Sequence, residues 1–533
     1  MLNLLMLRNP VRMILCVCAA ALALLVLSGS ASAAPYMVSL MQDDDELVYI
    51  DPAGRGAALN RMRNLGVEAV RVTMLWEAIA PNITAKRKPR GFNGAKPGDY
   101  PNFAWDPYDD LVRKARDRGI EVNFDPTGPG PAWAHGRTRI APAARTWRPS
   151  PRQYAKFVRA AGRRYSGSYR DENQSRDVLP RVEWWGIWNE PNQPGWLTPQ
   201  GETKRGVGDV AAAPRIYRDL LVAGAKALLR TGHGDDLVLI GELAPIGSAV
   251  KPKGARASLR PGLFLREMFC LNGRFHAYTG REARARGCNK LDRLAVLERL
   301  PRLGVGHHAY TRRRAPTKRQ PKRDMIDISN LGELTRTLDK IAARTGLLPP
   351  QMPVFLTEFG YQSLPPDPFR GVSLPLQAKY INEGDYIAWK NPRVFSSAQF
   401  LLYDSPARTE FPRDSQPYWA TFQTGLITAF PDPEVKPALN AYKFPLIVKR
   451  RRGTARIWGQ ARFAPNGITY PVYLQARAPG SSTWTNAGPP VVVTHSQGFF
   501  RARRPTQRGT AWRAVWAEPD YERLEFSREA IAR

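Results

Sequence analysis

Short, continuous apolar runs alternate with amphipathic stretches eight times between Tyr36 and Lys449. The runs cover residues 36–41, 69–74, 121–125, 182–188, 237–241, 305–308, 354–357 and 397–402. Unbroken apolar runs, rather than alternating ones, suit strands buried on both faces, as in a parallel sheet covered by helices. Residues 108–118, 152–165, 216–230, 331–345 and 376–390 carry helical periodicity between them. Asp, Ser or Pro precede several of these stretches, and Gly119, Gly232 and Gly346 follow three of them as stop signals. Eight strands in alternation with helices predict an α/β fold, a (β/α)8 barrel over residues 34–449. Its functional groups belong on the loops that follow the strands.

The pattern changes near Pro445. Residues 450–533 show short alternating runs, punctuated by Gly and Pro at Pro465-Asn466-Gly467 and Pro479-Gly480. They predict a small antiparallel β-sandwich, immunoglobulin- or fibronectin-like. Trp458, Trp484, Trp512 and Trp516 in this region suit either sugar stacking or a sandwich core. At 533 residues, one large barrel plus a smaller module matches the size of the chain.

Residues 1–33 read as an export signal. Arg8 and Arg12 lie in a basic segment, an apolar run follows to Leu27, and Ala31-Ser32-Ala33 supplies a small-residue cleavage site. The apolar run is shorter than the ~20 residues of a membrane span, so a secreted chain without stable membrane insertion is expected. Two of the 79 basic residues and none of the 47 acidic ones fall in this segment, so the rest carries a net charge of +30. Clusters at Lys86 to Arg90, Arg312 to Arg323, Lys449 to Arg452 and Arg501 to Arg508 allow either an anionic polysaccharide partner or ordinary solvated faces. The basic residues are dispersed and no nucleic-acid-binding motif accompanies them, so no nucleic-acid partner is expected. Cys270 and Cys288, the two cysteines outside residues 1–33, are expected to be bridged in an oxidising compartment. Two cysteines and six scattered histidines have no metal-ligand spacing, so neither a metal nor a cofactor is expected.

Two glutamates end apolar runs. Glu190 closes the string Trp-Trp-Gly-Ile-Trp-Asn-Glu, and Glu358, 168 residues later, closes Val-Phe-Leu-Thr-Glu. A charge directly after a buried strand is costly unless the fold uses it, and at the carboxyl end of a barrel strand that use is usually catalysis. One carboxylate as proton donor and another as nucleophile is what a retaining glycosidase requires.

The same residues carry a family likeness. Asn189-Glu190-Pro191 after one strand, His308-Ala309-Tyr310 after a later one and then Glu358 resemble the signature of clan A glycoside hydrolases, families 5 and 39 in particular. Trp105-Asp106-Pro107-Tyr108 through Pro131-Ala132-Trp133-Ala134 is similar to the second helix, third strand and following loop of those families. The resemblance spans residues 35–446. It implies Glu190 as acid/base, Glu358 as nucleophile, Arg71 and Tyr310 beside the nucleophile, and Asn189 on the sugar 2-hydroxyl. It also implies His308, or alternatively His307, near the glutamates. Gln399 is a further candidate contact. Trp76, Trp133, Trp196 and Trp419 are candidate sugar platforms. For Glu190, burial beside Trp184, Trp185 and Trp188 is expected to raise the carboxyl pKa. The chain departs from family 5 in lacking a strand-three histidine within Glu121–Thr127 and a strand-eight tryptophan within residues 397–404. A carbohydrate substrate is implied. A transglycosylase on the same two carboxylates and a non-catalytic carbohydrate-binding protein are the alternatives.

Overall fold

The computed structural model describes residues 34, 36–140, 145–172, 176–247, 254–465, 467–517 and 523–533; the expected export signal at 1–33 lies outside the described residues. The eight apolar runs form strands β1 (Val38–Gln42), β2 (Ala69–Leu75), β3 (Glu121–Thr127), β4 (Trp184–Gly186), β5 (Leu237–Leu243), β6 (Leu303–His308), β7 (Val354–Glu358) and β8 (Val394–Phe400). Each pairs in parallel with its sequence neighbours, and β8 closes on β1. The predicted (β/α)8 barrel is therefore observed.

Helices between the strands begin where the sequence supplies caps. Asp51 accepts hydrogen bonds at the start of α1 (Pro52–Asn64), and Ser150 does so for α3 (Pro151–Arg164). The others around the barrel include α2 (Asp106–Asp117), α4 (Ala213–Leu229), α5 (Leu331–Thr345) and α6 (Leu374–Trp389). Most strand ends differ from the expected runs by one to three residues, and three of these differences bear on the site. β4 stops at Gly186 because the chain turns at Trp188, whose φ is 71°, and β8 stops at Phe400 before Leu401 at φ 74°. β5 instead runs two residues past Gly241, which carries Glu242 into the barrel mouth.

Inside the barrel the side chains are layered. Leu40, Ala69, Trp184, Leu239, Phe355 and Ala398 form an apolar floor. One step further along the strands, toward their carboxyl ends, the inward positions become polar: Gln42, Arg71, Asp125, His308 and Thr357 are all buried there. Glycines make the room. A Cβ on Gly186 would come 2.6 Å from an Asp125 carboxylate oxygen, and one on Gly306 would overlap the Glu242 carboxylate.

Beyond the barrel the chain forms two antiparallel sheets. One contains β9 (Leu446–Arg451), β10 (Thr454–Gln460) and β14 (Phe499–Pro505). The other is built on β11 (Tyr470–Arg477) and β15 (Ala511–Ala517), with β12 (Thr485–Asn486), β13 (Val491–Val493), β16 (Leu524–Phe526) and β17 (Ala530–Ile531) at its edges. This module is bound to the bottom of the barrel. The Gln497 side chain donates to Glu68 and to the Met37 carbonyl, just ahead of β2 and β1. Arg462 pairs with Asp385 of α6 at 3.1 Å. Trp458 is buried against Tyr386 and Trp389 of α6, while Trp512 and Trp516 fill the sandwich core. These three tryptophans serve packing rather than sugar stacking. Trp484 is partly exposed beneath Arg477 and Arg513.

Cys270 and Cys288 are bridged, with Cα atoms 5.8 Å apart. Closing a loop of this length stabilises by ~3 kcal/mol on the chain-entropy estimate. Replacing both cysteines with serine is expected to lower the free energy of unfolding by about that amount. Guanidinium titration of both proteins at fixed pH measures it, and an unchanged midpoint would contradict it.

Candidate active site

Arg71 enters the barrel from β2 and is fully buried. Its guanidinium donates to Glu358 Oε1 at 2.9 Å, Asp125 Oδ2 at 2.9 Å and Asn189 Oδ1 at 2.7 Å, and also to Gln42. Glu242 Oε2 lies 3.4 Å away. Five side chains from five strands or strand ends thus converge on one cation. Burial alone would weaken the proton affinity of Arg71, but Glu242, Asp125 and Glu358 raise it well above the ordinary value.

His308, last residue of β6, stands between the carboxylates. Its Nδ1 is 2.8 Å from Glu190 Oε1 and 3.3 Å from Glu358 Oε2, and its Nε2 is 3.2 Å from Glu242 Oε2. Burial acts to lower its pKa, yet the charge of Glu358 and the bonds to Glu190 and Glu242 hold it up at about 10. His308 is therefore an imidazolium at neutral pH, donating from both nitrogens. The neighbouring His307 is the opposite case: burial and the charge of His308 push it down to about 3, and its Nε2 bonds the Ile326 carbonyl. The choice the sequence left open falls on His308.

Glu190 and Glu358 face one cavity of about 780 Å³ at the carboxyl ends of the strands. One carboxylate oxygen of each, together with a His308 nitrogen, lies within 4.8 Å of the others. Both ring nitrogens of His308 are engaged by carboxylates, Nδ1 by Glu190 and Nε2 by Glu242. Glu190 sits at φ 38°, a left-handed conformation costing on the order of 1–3 kcal/mol in a non-glycine residue and held here by its surroundings. Its backbone N–H donates to the Glu242 carbonyl, the Asn189 N–H to Thr127 Oγ1, and the Gln193 amide to Glu190 Oε2 at 2.6 Å. Glu358 accepts from the Tyr310 hydroxyl at 3.1 Å.

The proton affinities correct one expectation. Burial favours protonated Glu190, but the hydrogen bond and charge of His308, aided by Gln193 and Arg71, outweigh it and hold the carboxyl below its ordinary value. The expected elevation beside Trp184, Trp185 and Trp188 is not seen. Trp184 belongs to the barrel floor, Trp185 packs on Phe124 and His233, and Trp188 packs on Tyr154. Glu358 is raised instead, by burial and the charge of Glu190 against the pull of His308 and Arg71. Asp125 is pushed up to about 7, since burial outweighs Arg71.

Among the expected contacts, Glu190, Glu358, Asn189, Tyr310 and Trp196 line the cavity, with Arg71 and His308 directly beneath. Trp76, Trp133, Trp419 and Gln399 do not. Trp76 stacks on Phe157 of α3 with its ring planes 8° apart and meets Trp133 edge-on. Trp133 packs on Phe92 and donates to the Pro81 carbonyl. Trp419 donates to the Arg413 carbonyl, and Gln399 donates to the carbonyls of Phe400, Leu401 and Thr424. Beside Trp196, the aromatic surfaces of the cavity come from Tyr49, Tyr310, Phe369, Phe400 and Phe422. Glu242, Asp125 and Gln193 were not singled out by the sequence as site residues.

No family model matches the chain, and no curated protein matches it. Among solved structures it is similar to a family 1 β-glucosidase from Thermotoga maritima, at 14% identity over 72% of this chain and 84% of that one, with a TM-score of 0.42. An endo-β-1,4-mannanase from Thermotoga petrophila is 11% identical over 95% of this chain and 99% of the other, TM-score 0.39. GH5_18 from Streptomyces cattleya in complex with GlcNAc is 16% identical over 78% and 79%, TM-score 0.43. Superpositions this loose leave the strand order and side-chain geometry of the barrel itself as the basis for reading function.

Glu242→Gln removes a charge 3.2 Å from His308 Nε2 and is expected to lower the imidazole pKa from about 10. Because the folded value lies above the ordinary 6.5, this ionisation stabilises the fold fully below 6.5, and the contribution is lost as pH rises through about 10. NMR titration of the His308 ring in both proteins measures the shift. An imidazole that titrates near 6.5 in the parent would contradict the assignment.

Proposed function

We propose that the protein is a secreted, retaining O-glycoside hydrolase acting on an oligosaccharide or polysaccharide. The observation that supports this best is the approach of the Glu190 and Glu358 carboxylates to within 4.8 Å across a cavity large enough for sugar rings. Retaining enzymes hold their carboxyl groups ~5–5.5 Å apart, whereas inverting ones leave ~6.5–9.5 Å for a water. Export rests on the 1–33 segment, and the Cys270–Cys288 bridge is consistent with an oxidising compartment.

Glu358 is the nucleophile. Arg71 and Tyr310 donate to its two oxygens, stabilising the carboxylate and orienting it toward the anomeric carbon. Asn189 is fixed through Oδ1 by Arg71, so its amide hydrogens can meet the sugar 2-hydroxyl as oxocarbenium character develops. Glu190 is the acid/base. Its low proton affinity in the free site puts the useful proton on His308 Nδ1, one hydrogen bond away. As the glycosidic bond breaks, that proton passes to Glu190, which hands it on to the departing oxygen, leaving His308 neutral and Glu190 ionised. In the second step Glu190 takes a proton from water, the water oxygen attacks the glycosyl–Glu358 ester, and His308 is recharged. No metal and no cofactor enters either step.

Two substitutions separate the roles. Glu358→Gly is expected to abolish turnover while retaining the fold, and azide should restore cleavage of an activated aryl glycoside with release of an azide of inverted configuration. Glu190→Ala should still react with activated substrates, giving a retained azide. On natural glycosides it should lose the ~10²–10⁴-fold that general acid–base assistance supplies. Wild-type rates in both variants would contradict the reading.

The pH profile of kcat/KM provides an independent check. Glu358 must be ionised and its proton affinity is raised, so the acid limb is expected above the ordinary carboxyl value of 4.5. His308 must be charged, so the alkaline limb is expected at about 10. A profile falling through pH 6.5 on its alkaline side would show that His308 does not hold the proton.

A further inference from the structure

Building on the glycosidase reading, the cavity mouth indicates what kind of sugar enters. Three of its lining residues are arginines: Arg312 and Arg313 follow Tyr310 after β6, and Arg370 lies in the chain between β7 and α6. All three are exposed, and among the described residues none of them forms an ion pair. Their neighbour Arg314 is the contrast, because its guanidinium is spent on Asp327 and Ser329 and holds the loop together. Arg312 is held at φ 59°, a left-handed conformation that a non-glycine residue rarely adopts and that is concentrated at ligand sites. The floor below is carboxylate-rich, with Glu190, Glu358 and Asp44 lining the same cavity. Charge in this cavity is therefore segregated: acids at the point of bond cleavage, unpaired guanidinium groups around the entrance.

Exposed aromatics share the entrance. Tyr49, Phe369 and Phe422 are 53%, 39% and 50% exposed, and Phe369 directly precedes Arg370. Aromatic rings take up the apolar C–H faces of pyranoses. The planar fork of an arginine matches a carboxylate with two parallel N–H···O bonds. Rings and forks side by side suit a sugar that offers both an apolar face and a carboxylate.

We propose that the substrate is an acidic glycan. Hexuronate carboxylates on sugars flanking the cleaved bond are bound by Arg312, Arg313 and Arg370, while Tyr49, Phe369 and Phe422 support the rings. The residue bound directly over Glu190 and Glu358 is uncharged or faces its carboxylate outward, since a second buried anion there would oppose the ionised nucleophile.

The test is binding to the mature full-length chain carrying Glu358→Gln, which prevents turnover. Oligosaccharides of galacturonan, mannuronan, hyaluronan and glucuronoxylan are each compared by calorimetry with their carboxyl-reduced neutral counterparts. At least one acidic member is expected to bind roughly tenfold or more tightly than its neutral partner, with a preference that weakens as salt is raised. Adding Arg312→Ala, Arg313→Ala and Arg370→Ala should erase that preference and leave neutral binding in place. Arg281→Ala with Arg284→Ala, which removes two cations from a separate basic groove, should leave the preference intact. The proposal is overturned if no acidic member outbinds its reduced form, if the triple variant keeps the preference, or if the distant pair removes it equally. Turnover of neutral glycosides without acidic preference would sink this inference and spare the glycosidase reading. Arginine-dependent acidic binding with no chemistry on any glycoside would do the reverse.

Discussion

Everything at the mouth of the barrel is organised around one buried cation. Arg71 touches side chains from β1, β3, β5 and β7 and from the turn after β4, so its position fixes five partners at once. Burying a guanidinium is costly, and burying carboxylates beside it is costly again; the arrangement persists because each member satisfies the others. Removing one partner of such a group leaves an uncompensated charge, typically at a cost of about 3–5 kcal/mol. Arg71 therefore cannot be regarded as a substrate contact alone. Its charge lowers the proton affinities of Asp125, Glu242 and Glu358 while its N–H groups hold the Glu358 carboxylate in place.

A second cation makes the charge balance workable. Arg71 and His308 face Asp125, Glu190, Glu242 and Glu358, two positive groups against four acidic ones. Asp125 at about 7 and the raised Glu358 show where the surplus negative charge is relieved by protons. The sequence-based picture assigned the raised affinity to Glu190, as a proton donor should have. The geometry instead places His308 between the pair, and an imidazolium at 2.8 Å outweighs desolvation at Glu190. In the mechanism proposed above, the donor is therefore a histidine–glutamate unit rather than one carboxyl group.

Legibility followed burial. Strands buried on both faces leave continuous apolar runs, so all eight were visible, and the overlong ends of β4 and β8 trace to single residues with positive φ, Trp188 and Leu401. The rule that picked out Glu190 and Glu358, an acid directly after a buried run, applies equally to Glu242 after Leu-Val-Leu-Ile-Gly and to Asp125 after Val-Asn-Phe. Stopping β5 at Gly241 hid Glu242. The tryptophans misled because a ring on a strand-to-helix loop can turn either way. Trp76 and Trp133 turned outward to α3 and Phe92, where large apolar partners waited. Tyr49, Phe369 and Phe422 gave no signal because isolated aromatics in polar loops have no periodicity.

The position of the C-terminal sheets narrows where specificity can reside. Gln497 reaches Met37 and Glu68, which precede β1 and β2, so the module grips the barrel at the end opposite the cavity. Gly66 permits the approach: a Cβ there would collide with the Arg462 backbone, and its φ of 80° suits glycine. A module held at the amino ends of the strands contributes no wall to a site at their carboxyl ends. On the glycosidase reading proposed above, selection among sugars falls to the loops after the strands, where Arg312, Arg313, Arg370 and the exposed rings lie. The core of the site is held by mutually satisfied buried charges and tolerates little change. Its rim is exposed and unpaired, so substrate choice can change there while the machinery around Arg71 stays as it is.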